Sequence, residues 1–288
     1  MVVLVTGSSG QLGQSLQFIA KDYPDISFRS FDSKALDITN LENCRHVFEQ
    51  VRPQYCINAA AYTAVDKAES EPEKAVAINV TGPQNLATVC KASDTVLIHI
   101  STDFVFEGKA TKPYTEEDSP NPTGVYGQTK LDGEKIIQQI WEKHIIIRTS
   151  WVYSQFGNNF MKTMLRLASE RTSLSVVNDQ IGTPTNAVDL AEVLVTIIKK
   201  IDDDLPSSIL YLPSKIFHFS NEGQCSWYDF AEKIFEIHKI KIDLHPIPTS
   251  SYPTPAKRPA FSVLDKSKIK KVFGITIKEW LESLTQLQ

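Results

Sequence analysis

Short apolar runs alternate with longer amphipathic segments along the first half of the chain. Residues 2–5, 26–31, 55–59, 96–100 and 145–148 read as strands. Their apolar positions are continuous rather than alternating, which predicts strands buried on both faces. Between them, residues 12–21, 41–51, a long helix within 73–91, and 126–143 carry helical periodicity. Strands alternating with helices predict an α/β fold, a doubly wound parallel sheet with helices on both sides.

After Trp151 the pattern changes. Helices are expected at 159–170, 189–201, 227–239 and 275–287, with a strand at 174–177. Two polar segments break the rhythm, 113–122 (PYTEEDSPNP) and 246–259 (PIPTSSYPTPAKRP). The second holds five prolines and is expected to be neither helix nor central strand. Long loops of this kind often carry function.

Composition narrows the classes. A net charge of −4 over 288 residues argues against nucleic acid as the main ligand. Cys44, Cys56, Cys90 and Cys225 are dispersed, without a C-x-x-C pair or a nearby histidine at metal spacing. That usage predicts reduced thiols in a cytoplasmic protein. The start, MVVLVTGSSG, has no basic region and no small-residue cleavage site, so it reads as a strand rather than a signal peptide. No run approaches the roughly 18 apolar residues of a membrane helix.

Gly7-Ser8-Ser9-Gly10-Gln11-Leu12-Gly13 follows the first strand and opens a helix. The glycines permit a tight turn, close approach of a pyrophosphate to the helix N-terminus, and close helix–sheet packing. A plain tight turn is the bland alternative; the position directly after VVLV favours the nucleotide. Residues 1–150 are therefore expected to form a Rossmann-type dinucleotide-binding domain, with 178–213 returning to it. Residues 151–177 and 214–288 are expected to form a smaller C-terminal substrate-binding lobe. Asp32, after the second strand, either accepts the adenosine ribose 2′-hydroxyl or is a solvated turn residue. Arg29 and Lys34 flank it, so NADPH and NADH both stay open. Asp37 and Ile38 start a further turn that could reach the adenine.

Tyr126 and Lys130 stand at i and i+4 of one helical face. A free tyrosine has a pKa of about 10. A neighbouring ammonium favours tyrosinate and is expected to lower that value toward neutral. Alone, such a pair is better read as a surface tyrosine and lysine on an amphipathic helix. Ser101-Thr102-Asp103 at the carboxyl end of a buried strand adds a hydroxyl that could bond a substrate carbonyl beside the tyrosine.

In this order and spacing, the chain resembles the dTDP-4-dehydrorhamnose reductases, a family of extended short-chain dehydrogenases. The strings that carry the resemblance run from GSSGQLG (7–13) through STDFVFEG (101–108) and VYGQTKLDGE (125–134) to RTSWVY (148–153), NDQIGTPT (178–185) and YPTPAKRP (252–259). The resemblance implies NAD(P)H-dependent reduction of a 4-keto dTDP-sugar, the last step toward dTDP-L-rhamnose for envelope polysaccharide. It implies Tyr126 as proton donor, Lys130 as tyrosine partner and ribose ligand, and Thr102 as the group polarising the keto oxygen. Gly7, Gly10, Gln11, Leu12, Gly13, Asp32, Asp37, Ile38, Ala61, Tyr62 and Thr63 would line the cofactor. Thr102, Asp103 and Trp151 would contact the sugar nucleotide, Trp151 being alternatively a core aromatic at the lobe junction. Arg258 would either meet the substrate diphosphate or be a surface arginine.

Two departures from the family pattern matter. Phe104 replaces a tyrosine common in relatives. Ser15 and Val188 stand where some relatives place acidic magnesium ligands at a dimer interface, so no magnesium is expected, and monomer and homodimer both stay open. The rival readings are a non-catalytic, cofactor-binding regulatory subunit and a reductase or epimerase of another nucleotide sugar.

Overall fold

In the first strand Val3 and Val5 face one side and Leu4 the other, and all three are fully buried. A strand apolar on both faces needs cover on both. The computed structural model describes residues 1–203, 211–212 and 214–287. In it the chain meets that need with a six-stranded sheet.

Five strands come early: β1 (Val2–Thr6), β2 (Ser27–Phe31), β3 (Tyr55–Asn58), β4 (Val96–Thr102) and β5 (His144–Thr149). Four short strands follow, β6 (Val152–Tyr153), β7 (Ser173–Val177), β8 (Ile181–Gly182) and β9 (Thr185–Asn186), before β10 (Ile216–His218) completes the large sheet. Its order is β10-β5-β4-β3-β1-β2, with every pairing parallel. The doubly wound α/β class expected from the pattern is thus observed.

Helix α1 (Gln11–Ile19) opens the cover of one face, which α8 (Ala187–Asp203) completes. Leu12 and Leu16 there meet Leu190, Leu194 and Ile198 over Val3, Val5 and Ile57. On the other face lie α2 (Leu41–Val51), then α3 (Val65–Ala68), α4 (Pro72–Val76), α5 (Gly82–Ala92) and α6 (Val125–Ile140). Phe48, Leu86, Cys90 and Ile137 of this group pack on Leu4, Cys56 and Leu97. A separate core gathers α7 (Phe160–Glu170), β7, α9 (Trp227–Ile237) and α11 (Trp280–Thr285), with Met164, Phe230, Ile234 and Leu284 buried together.

Several expectations need correction. The single helix within 73–91 is interrupted by a π turn over Ala77–Thr81. Pro83 lacks an N–H and its ring crowds the carbonyl four residues earlier, so the ladder widens there. Residues 275–287 are helical only at Trp280–Thr285. The helix before them, α10 (Ser267–Phe273), went unpredicted; it ends at Gly274, whose φ of 67° is a left-handed stop. Strand β11 (Cys225–Ser226) pairs with β8; within 246–259 the first two residues belong to β12 (Asp243–Ile247), and Thr249–Ser251 make a 3-10 turn. Pro246 is tolerated because β12 pairs only with β7 in a two-stranded sheet, where an edge needs no donor.

Strand β10 and helix α10 fall within the 214–288 segment expected in the smaller lobe. Yet β10 is the edge of the large sheet, and Ile269 and Phe273 of α10 join its core. Residues 204–210 and 213, part of the 178–213 return, and residue 288 lie outside the described residues.

Candidate active site

The chain winds to β2 on one side of β1 and to β3 on the other. Such a reversal opens a crevice outside the carboxyl ends of the strands. A cleft of about 650 Å³ lies there. Ser9 to Leu12 form one wall, and Ala59, Ala61 and Thr63 follow β3 beside them. Thr102, Asp103, Tyr126 and Lys130 form the centre, with Trp151 and Asn159 toward the second core.

The first wall is built by glycine. Gly7 has φ 66°, and a Cβ there would sit 2.7 Å from the Ala60 amide nitrogen. A Cβ on Gly13 would sit 2.5 Å from the Gly7 carbonyl oxygen. Both residues therefore lie behind the wall and bring β1, α1 and the chain after β3 into contact. Gly10 caps α1 without a side chain, and no acid stands in the first turn. The partial positive charge of the helix end is left facing the cleft, which suits an anionic diphosphate. The Gln11 side chain is occupied: it donates to the Val152 carbonyl and accepts from Ser154 and Asn159. It ties the glycine turn to the second core and leaves its backbone to a ligand.

The centre is built by α6 and the end of β4. Gly127 lets the helix start press on Phe104, since a Cβ would meet that carbonyl oxygen at 2.2 Å. The Phe104 ring packs edge-on to Tyr126 at 5.5 Å between centroids. Burial pushes the Tyr126 hydroxyl up to about 12, aided by Asp103 and opposed by the Thr102 hydroxyl. The expectation that Lys130 lowers it is corrected. The Lys130 ammonium is drawn to the sheet instead, 2.6 Å from the Ile100 carbonyl oxygen and 3.3 Å from His99 Nε2. Burial brings Lys130 down to about 8, against the attraction of Glu134.

Thr102 donates to Asp103 Oδ1 at 3.0 Å and accepts from the Phe104 amide. Burial pushes the Asp103 carboxyl up to about 6, against the hydroxyls of Ser262 and Thr102. Its Oδ2 is buried without a hydrogen-bond partner among the described residues.

Beneath the centre lies a polar layer of which the sequence singles out only Ser101, whose hydroxyl turns away from the substrate side to Glu134. Arg148 grips Glu134 through two nearly parallel bonds of 3.0 and 2.7 Å, and Ser101 donates to the same carboxylate. Glu134 stands four residues after Lys130, on the same helical face, which was the available signal. His99 and Arg148 were equally visible as polar residues inside apolar strands.

Trp151 stands at the junction of the cleft and the second core. It lines the cleft, and it stacks on Trp227 with 8° between the rings. Its φ of 46° is a left-handed conformation unusual for so bulky a residue. Arg258 holds Asp66 through bonds of 2.9 and 2.7 Å. That pair latches the proline-rich segment onto α3.

Asp32, Asp37, Ile38 and Tyr62 do not line this cleft. Asp32 Oδ1 accepts the amides of Lys34 and Ala35, which is turn chemistry. Asp37 does the same for Thr39. Ile38 is buried in the helix layer, its carbonyl taken by Asn85. Tyr62 turns away to bond Glu71. The four cysteines are buried free thiols. Among the described residues, none group into a metal-binding cluster and no helix is long and apolar enough to cross a membrane.

Comparison with known proteins places this architecture. The family model described as the RmlD substrate binding domain matches residues 1–288. The dTDP-4-dehydrorhamnose reductase of Aggregatibacter actinomycetemcomitans is 42% identical over 99% of this chain and 98% of its own. The crystal structure of a dTDP-4-dehydrorhamnose reductase from Clostridium acetobutylicum superposes with a TM-score of 0.93 at 40% identity, covering 100% of this chain and 98% of that one. The Bacillus anthracis enzyme of the same name, solved in complex with NADP, gives 0.90 at 38% identity, covering 99% and 98%. With the likeness running from end to end, the chain belongs to the dTDP-4-dehydrorhamnose reductase family.

Proposed function

We propose that this protein reduces the 4-keto group of dTDP-4-dehydro-L-rhamnose to give dTDP-L-rhamnose. The observation that carries this reading is the meeting of Thr102, Tyr126 and Lys130 in one cleft, across from the uncapped start of α1. The cleft suits a nicotinamide dinucleotide, which when bound supplies the hydride. Gln11 and Leu12 would hold its diphosphate through backbone amides, Gly10, whose own amide is bonded to the Gly7 carbonyl, would let it approach, and Ala61 and Thr63 would flank its ribose. NADPH is the donor to test first, since Arg29 and Lys34 flank Asp32 and the Bacillus anthracis relative binds NADP.

Tyr126 delivers the proton. Its hydroxyl stays protonated across the physiological range, as an acid for carbonyl reduction must. Thr102 turns its hydroxyl to the keto oxygen and helps Tyr126 stabilise the charge that develops there. Asp103 Oδ2 accepts a sugar hydroxyl, and Trp151 forms the wall against which the sugar rests. Lys130 holds the nicotinamide ribose and keeps a positive charge near the developing alkoxide. The smaller lobe built on α7, β7, α9 and α11 carries the substrate side.

Mixing the protein with the keto sugar and NADPH is expected to consume the reduced-nicotinamide absorbance and yield dTDP-L-rhamnose. A protein that binds NADPH but never consumes it would instead be the regulatory subunit. The pH profile supplies a second expectation. Lys130 is cationic below about 8 and loses its charge above it. The profile of kcat/KM, which reports the free enzyme, should therefore fall on that side. Tyr126, at about 12, cannot produce this limb. A profile flat well beyond the lysine value would contradict the assigned role.

A further inference from the structure

His99 sits in the middle of β4, fully buried, in a strand that is otherwise apolar up to Ser101. Its two ring nitrogens meet partners on opposite sides. Nδ1 is 3.0 Å from the Asn58 amide nitrogen at the end of β3, and Nε2 is 3.3 Å from the Lys130 ammonium. Asn58 is bonded in turn to Thr6 at the end of β1. A line of polar side chains thus crosses three adjacent strands and ends on the lysine of the cleft.

The chemistry of this line is restrictive. A neutral imidazole has one donor and one acceptor, and an ammonium has only donors. While Lys130 is charged, Nε2 must accept, so Nδ1 must carry the ring proton. That proton needs an oxygen. A half-turn of the Asn58 amide puts its carbonyl oxygen there and its nitrogen toward the Thr6 hydroxyl; the Ala60 amide then gives up its 3.3 Å bond to Asn58 and keeps its 3.2 Å bond to Thr6. A doubly protonated ring is excluded, because it would set two cations against each other in a buried place. Burial together with Lys130 and His144 holds His99 well below the usual histidine range.

We infer that His99 is a positioning residue for Lys130: its Nε2 accepts from the ammonium while its Nδ1–H donates to the Asn58 carbonyl oxygen. Two of the three ammonium hydrogens are then fixed by the sheet, on His99 and on the Ile100 carbonyl. The third is left to the cleft, where a ribose hydroxyl would lie. The line Thr6–Asn58–His99 thereby sets where the lysine head stands and how firmly it keeps its proton. This rests on the reading of Lys130 as the ribose ligand. The titratable and charged groups facing Lys130 are His99 from β4, Glu134 one turn along α6, and Tyr126 on the cleft side. His144 acts on His99 from β5.

Two measurements test it. In the full chain with histidine-selective nitrogen-15 labelling, the His99 signals are identified by their loss in His99→Gln. They are expected to report a protonated Nδ1 and an unprotonated Nε2 at neutral pH. A protonated Nε2 would overturn the inference without any assay of activity. In kinetics, His99→Phe removes the acceptor. It is expected to move the basic limb of kcat/KM down by about one pH unit, the scale of one charge-assisted hydrogen bond. The KM for the dinucleotide should rise with it. His99→Gln, which keeps an acceptor oxygen, should return the limb toward its original place. An unmoved limb in a folded His99→Phe also overturns the inference. If that variant does not fold, the tautomer decides alone. A wild-type chain that fails to turn over the keto sugar would refute the functional reading and leave the tautomer measurement standing.

Discussion

Tyr126→Phe is expected to lower turnover roughly 10²–10⁴-fold, the usual scale for losing a general acid, with dinucleotide affinity nearly unchanged. The variant removes one oxygen and leaves the ring, so its edge-on packing against Phe104 persists. Lys130 is held by Ile100 and His99 rather than by the tyrosine, so the ribose ligand should stay in place. What is lost is the proton for the forming alkoxide. The Thr102 hydroxyl remains as a donor to the keto oxygen and sets the residual rate. Steady-state kinetics, with dinucleotide binding measured separately by fluorescence, would check both halves. Turnover within a few-fold of wild type would remove Tyr126 from the chemistry. A large rise in the dinucleotide Kd with unchanged kcat would make it a binding residue instead.

The sequence carried the parallel sheet well because its strands advertise burial. Ile145, Ile146 and Ile147 in succession, with no polar break, fit only a strand covered on both sides. That Tyr126 and Lys130 share one wall of the cleft was legible for a similar reason: a helix places i and i+4 together whatever surrounds it. The elements that escaped were those whose local pattern is overruled by their neighbours. Strand β10 is three residues long and gains its place only by pairing with β5. The helix at 267–273 is only seven residues long, too short for Ile269 and Phe273 to stand out as a periodic stripe, although Gly274 marks its end. Helical spacing offers Tyr126 as the neighbour of Lys130. Its actual partners come from β4, more than one element away, where spacing along a helix says nothing. Arg258 shows the same limit: its partner Asp66 is 192 residues distant.

Removing the Glu134 carboxylate should be the most destabilising single change beneath the site. Glu134 and Arg148 are 1% and 2% exposed as side chains and share two hydrogen bonds. Glu134→Ala leaves the guanidinium without a counter-charge in a place water scarcely reaches, with Arg148 Nη1 already lacking a partner among the described residues. Breaking such a pair from one side costs about 3–5 kcal/mol. Against a typical total of roughly 5–15 kcal/mol, that is a large fraction of the fold's stability. The loss reaches the cleft as well, because Ser101 adjoins Thr102 and Glu134 is one turn from Lys130. Urea unfolding would measure it. Two companion variants separate the cause from mere truncation. Arg45→Ala breaks an exposed pair with Glu42 and should cost no more than about 1 kcal/mol. Glu134→Met combined with Arg148→Leu removes both charges and should recover most of what Glu134→Ala loses, because the penalty lies in the unpaired cation and not in the absence of the pair. A double variant as unstable as Glu134→Ala would mean that the ion pair, rather than the avoidance of a lone charge, holds β5 to α6.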